Sequence, residues 1–139
     1  MAHFAKLTED NRVLSVVVVD DKKCLDSNGS ENEEKGRLFL EQIFNWPFWK
    51  KTSYNTKNNV HLNNGTPFRG NFAGPNMIYM PEHDIFMSDK PYPSWVLNVA
   101  EARWQSPIGD HPVITEEEAK KFVRYDWDET NQIWNKISY

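Results

Sequence analysis

Three phrases in the second half of the chain share one design, and that design restricts the folds open to it. Tyr79 and Phe86, Trp95 and Trp104, and Trp127 and Trp134 each bracket a polar turn, standing seven, nine and seven residues apart. Residues an odd number of positions apart face each other across an antiparallel pair when an even-length loop joins the strands. Each bracket therefore predicts a β-hairpin clasped by two aromatic rings, a pairing worth roughly 0.2–1 kcal/mol over alanines. An isolated hairpin is marginal in water, so the hairpins must lie on one another, on the rest of the chain or on another chain. Pro91, Pro93, Pro107 and Pro112 flank the second hairpin and hold its approaches extended.

The first half reads differently. His3 to Leu7, the turn formers TEDN, and Arg12 to Val19 predict an opening hairpin. Its unbroken VVVV run predicts a strand buried on both faces. Ser30 with Glu33 has the spacing of a capping box, and Gly36, Phe39, Leu40, Ile43 and Phe44 follow at helical intervals. These predict an amphipathic helix over 31–45, ended before Pro47 and followed by a strand from Trp49 to Tyr54. Residues 55–76 are rich in Asn and Gly without a period, and read as a long loop. Thr115 with Glu118 is a second capping box, opening a short helix over 115–121. The expected class is α+β: an N-terminal antiparallel sheet with one amphipathic helix over 1–54, the loop, then an arm of aromatic-clasped hairpins over 77–139.

With 139 residues the chain is one domain's length. Hydrophobic residues make up only 39% while aromatics reach 14%, so whatever core forms leans on large flat side chains. The net charge of −4 and the absence of any Lys/Arg cluster argue against direct binding to nucleic acid. The single cysteine, Cys24, excludes an internal disulfide and fits a reducing compartment. MAHFAKL has no apolar run of signal-peptide length, and no stretch is apolar enough for a membrane span, so a soluble, unsecreted protein is expected. Asn28-Gly29-Ser30 and Asn64-Gly65-Thr66 are then turns rather than glycosylation sites.

Motifs that carry chemistry are scarce. There is no phosphate loop, His-Glu-x-x-His, Cys-x-x-Cys or Gly-x-Ser-x-Gly. His3, His61, His83 and His111 are far apart and fall at the terminus or in turns. The oxygen-rich run from Asp26 to Glu33 surrounds Gly29 as a calcium loop would, but lacks the distant bidentate glutamate, and a turn into a capped helix accounts for it. Glu116 to Glu118 read as an acidic first helical turn. Trp46, Trp49 and Tyr54, interleaved with Lys50 and Lys51, would suit stacking on sugars or bases if exposed; strand alternation would instead send alternate residues into a core. No enzyme activity, cofactor or metal is expected.

Several phrases of the chain, MAHFAKL, VVVVDDKKCLDSNG, WKKTSYN, RGNFAG, KPYPSWVLN with its later tryptophan, and YDWDETNQIW, resemble a family of small proteins encoded by tailed phages of marine bacteria, of the cyanophage and pelagiphage type. They occur in the family's order over most of the chain. NTKNNVHLNNGTPF, an expanded loop, and IGDHPVITEEEAKKFV, in place of a shorter Asp-Gly turn, depart from the pattern. The resemblance carries no catalytic residues. It implies a phage product made in the bacterial cytoplasm and located in the virion. The expected function is a virion structural accessory protein, foremost a capsid decoration or cement protein. Its expected partners are the major capsid protein or tail proteins, or further copies of itself. Trp95, Trp104, Trp127, Trp134, Tyr79, Phe86, Trp46 and Trp49 are the candidate interface residues. The alternatives are a tail or tail-fibre component that binds glycan, and a fibre-assembly chaperone outside the particle.

Overall fold

The computed structural model describes residues 1–139. The chain is mixed α+β, mostly antiparallel β, and divides into two compact units: Met1–Asp89 with Val99–Arg103, and Lys90–Asn98 with Trp104–Tyr139. No helix is long and apolar enough to cross a membrane.

The first unit is built on a three-stranded antiparallel sheet of β1 (Ala2–Leu7), β2 (Val13–Val19) and β3 (Trp49–Thr52), with β1 in the middle. Strand alternation sends Ala2 and Phe4 to a cluster with Val19, Cys24, Leu40 and Trp49, and Ala5 and Leu7 to a second with Val13, Ala73, Tyr79 and Phe86. Double burial therefore belongs to β1. The valine run, expected to be covered on both faces, lies on the edge strand β2, where Val18 is 54% exposed. β-Branching favours a strand but does not say which strand has two neighbours.

Helix α1 (Glu33–Phe44) packs over the first cluster. Its cap is Asn32, whose side chain accepts from the Lys35 amide at 3.2 Å, and not Ser30. Ser30 closes the preceding turn instead: its amide donates to Asp26 Oδ1 at 3.0 Å and its carbonyl accepts from the Asp26 amide at 2.9 Å. Glu33 is drawn away to Arg69, so the expected capping box does not form. Asn45, left-handed at φ 51°, ends the helix. Gly36 is fixed by close approach: a Cβ there would lie 2.5 Å from Phe4 Cζ and 2.9 Å from Cys24 Sγ.

The strand expected to reach Tyr54 stops at Thr52, where the buried Thr52 hydroxyl accepts from the Ala73 amide at 2.9 Å. The 55–76 segment is structured from within. β4 (Thr56–Lys57) and β5 (Val60–His61) form a ribbon around left-handed Asn58 and Asn59. The buried Thr56 accepts from the Phe68 amide through Oγ1 and from the Phe72 amide through its carbonyl, at 3.1 and 2.8 Å. β6 (Ile78–Met80) and β7 (Ile85–Met87) pair with Tyr79 opposite Phe86, as the bracket predicts. Their rings, 5.3 Å apart, lie in the second cluster. That packing joins this hairpin to the N-terminal sheet, so the boundary expected at 54–77 falls instead after Asp89.

In the second hairpin, β8 (Val96–Asn98) and β9 (Arg103–Gln105) form a ribbon whose tip belongs to the first unit. The second unit contains α2 (Glu116–Lys120), opened by the expected capping box: Thr115 Oγ1 accepts from the Glu118 amide at 3.1 Å, and Glu118 Oε1 accepts from the Thr115 amide at 3.2 Å. Beyond it, β10 (Arg124–Asp128) and β11 (Ile133–Ile137) pair with Trp127 opposite Trp134. Only Ser106 and Val123 are buried in this unit.

Candidate functional site

The eight candidate residues separate into core and surface. Trp49, Tyr79 and Phe86 are core residues, 2%, 5% and 0% exposed, and no partner can reach them in the folded chain; their size reflects burial. Trp49 donates to the Trp46 carbonyl at 2.6 Å, and half-buried Trp46 donates to the Leu7 carbonyl at 2.7 Å, which fixes the helix exit to β1. With Trp49 and Thr52 inside, the stretch of Trp46, Trp49 and Tyr54 makes no stacking face; Tyr54 lies against the His3 ring at 5.1 Å. Lys51 pairs with Glu31, and Lys50 sits 5.3 Å from the Tyr79 ring centre.

Trp95, Trp127 and Trp134 come together in the second unit. Trp95 meets both others edge-on at 5.9 Å, and Trp127 and Trp134 are 5.1 Å apart. Tyr92 lies 5.5 Å from Trp95; His111 stacks on Tyr125 at 5.4 Å and meets Trp134 edge-on at 5.6 Å. Trp104 is half-buried in β9 and does not line the groove these rings form. The groove is open, about 410 Å³, and is lined by Tyr92, Trp95, Tyr125, Asp126, Trp127 and Trp134. Sequence pattern explains the gathering in part. The β10–β11 register sets Trp127 against Trp134, and a turn that contains Pro93 and is closed by the Trp95 amide on the Tyr92 carbonyl at 3.1 Å presents the other two rings.

Glu129 organises the cluster. Its carboxylate accepts from the Ser94 hydroxyl at 2.6 Å, the Ser94 amide at 2.9 Å and the Trp127 indole N–H at 2.8 Å. The hydrogen bonds from Ser94 and then Trp127 hold it below the usual glutamate range, with a smaller pull from the Lys90 charge. Trp134 donates to the Gly109 carbonyl at 3.1 Å. The Trp95 N–H is buried and has no hydrogen-bond partner. Glu129, Ser94, Tyr92, Tyr125 and His111 are the residues sequence reasoning missed. The available signal was Glu129 two positions after a hairpin tryptophan, where a side chain can return to the same face.

The other polar constellations hold structure. In the first unit Arg69 binds Glu33 at 2.7 Å, Asp84 at 2.8 Å and the Lys51 carbonyl at 2.9 Å. Asp84 also accepts from the Tyr79 hydroxyl, and burial together with that carboxylate pushes Tyr79 up to about 12. Burial raises the Cys24 thiol, which opposes a reactive thiolate. In the oxygen-rich turn, Asp26 Oδ1 is taken by the Asn28 and Ser30 amides at 2.9 and 3.0 Å. No group of three or more His, Cys, Asp or Glu side chains is placed to hold a metal ion.

No protein-family model, curated protein or solved structure matches the chain.

Proposed function

We propose that the chain is a structural accessory protein of a tailed-phage particle, most specifically a capsid decoration or cement protein. In this reading the first unit folds on its own core and the second completes its burial against neighbouring subunits. The observation that carries the reading is the exposure of the second unit. Ser106 and Val123 are its only buried residues, while Val113 is 86% and Phe122 74% exposed and Ile108 and Tyr139 also face outward. Interfaces concentrate tryptophan and tyrosine, and exposed apolar surface of this kind is covered when subunits assemble. Trp95, Trp127 and Trp134 clasp the unit from within. The outward apolar side chains are then the adhesive, with Trp46 and Trp104 as half-buried contributors. The phrase-by-phrase resemblance to small marine-phage proteins supplies the provenance.

Glycan binding by a tail component draws less support, because the indole N–H groups of Trp127 and Trp134 are already bonded within the chain. The test is mass spectrometry of gradient-purified particles, with copy number measured against the major capsid protein. A comparable copy number is expected. A small number would move the protein to the neck or tail, and absence from the particle would overturn the reading in favour of a chaperone.

A further inference from the structure

The tryptophan groove of the second unit has chemistry that a purely adhesive role does not use. Its walls are Tyr92, Trp95, Tyr125, Trp127 and Trp134, and Asp126 stands among them. Aromatic faces carry negative potential, and no lysine or arginine lines this space. Arg124, three residues before Trp127, is bound to Asp126 at 3.1 and 3.4 Å and stacked over Tyr139. That pair is neutral as a unit, so the groove keeps the sign of its rings.

The indole N–H groups that a polyol would use are not on offer to it. Trp127 donates to Glu129, Trp134 donates to Gly109, and the Trp95 N–H is buried. What the groove still presents is mainly π-surface. Glu129 strengthens it, because an indole N–H held by a carboxylate passes electron density into the ring and makes its face more negative. The carboxylate also sits close behind Trp127 without a cation in ion-pair contact, Lys90 acting on it only at longer range. An ammonium with N–H bonds, such as a lysine head, is strongly hydrated and gains little by leaving water for aromatic faces. A quaternary ammonium has no such bonds to lose, and aromatic cages are where such groups are held.

We propose that this groove binds a quaternary or N-methylated ammonium group by cation–π contact, with Glu129 supplying the negative field behind Trp127. The inference is independent of the particle reading. The group can arrive on a free small molecule or on a choline lipid headgroup.

The test is titration of the full chain, followed by tryptophan fluorescence and calorimetry. The ligands are choline, tetramethylammonium, the neutral tert-butyl analogue of choline, and sodium chloride at matched ionic strength. Saturable binding of both cations is expected, at least about tenfold tighter than the neutral analogue. Glu129→Gln, which keeps an acceptor for Ser94 and Trp127, should weaken choline several-fold. Tyr92→Ala, at the partly exposed rim and outside the Glu129 network, should do likewise without loss of fold. Co-sedimentation with phosphatidylcholine vesicles in addition to free choline would assign the headgroup source; free choline alone would assign a soluble ligand. Equal binding of the neutral analogue, no saturable binding of either cation, or unchanged affinity in both variants would overturn the proposal.

Discussion

The two units solve the same problem in opposite ways. The first buries Phe4, Leu7, Trp49 and Phe86 on either side of β1 and ties its irregular segments down with Thr52, Thr56 and Arg69. The second gathers three tryptophans and leaves every one of them partly exposed. Its order rests on ring contacts, each worth about 0.5–1.5 kcal/mol beyond burial, and on one glutamate that joins Ser94 to Trp127. Aromatic content alone therefore does not distinguish a core from a surface. The difference lies in whether a second layer covers the rings: the sheet and its neighbours do so for Phe86, and nothing within its own unit does so fully for Trp127.

The contrast can be broken most forcefully from the first unit. Phe86→Ala should cost about 3–5 kcal/mol and unfold the sheet cooperatively in urea, because the ring is wholly buried against Ala5, Leu7 and Tyr79. Gly36→Ala comes next. Alanine favours helix by up to about 1 kcal/mol, yet its methyl would press on Phe4 and Cys24, so a net loss of about 1–2 kcal/mol is expected by thermal melting. A net gain would mean that α1 shifts easily on the sheet.

In the second unit the matched pair Trp127→Phe and Trp95→Phe separates a bonded indole from an unbonded one. Trp127→Phe removes the indole donor to Glu129 and an edge of the ring cluster, and should loosen 104–139, seen as faster amide exchange there with the first unit unchanged. Trp95→Phe removes an N–H that has no partner and should cost clearly less. The smallest effect is the response to acid. The folded chain holds Glu129 below its ordinary pKa of about 4.3, so its contribution is complete above that value and is lost as pH falls through the lowered one. The Trp127 indole N–H resonance should move over that acid range; a resonance indifferent to pH would show that the contact is not formed in solution.

Much of this was legible in the residues. The odd spacing of Tyr79 with Phe86 and of Trp127 with Trp134 specifies facing pairs, and Thr115 with Glu118 forms the box its spacing implies. Local patterns of this kind need no information from elsewhere in the chain. What the pattern misplaced depends on distant partners. Val16 to Val19 read as a strand buried on both faces, but that burial falls to β1, which pairs with β2 on one side and β3 on the other. Ser30 is held in the turn by Asp26 while Asn32 takes the cap, and Arg69, 36 positions from Glu33, claims the glutamate. Glu129 was invisible as an organiser because Ser94 lies 35 positions away. The Asn-rich segment read as loop because left-handed asparagines and side-chain bonds to backbone, such as Asn71 to the Phe86 and Ala102 carbonyls, leave no hydrophobic period.

Residue-resolved hydrogen exchange of the free chain in native buffer measures the difference between the two units. Strong protection is expected in β1, β3 and β7, set by global unfolding, and much weaker protection in β10 and β11, whose residues are half-buried or exposed. Protection of Arg124–Asp128 and Ile133–Ile137 equal to that of Ala2–Leu7 would contradict this, and would mean that the second unit is complete without a partner.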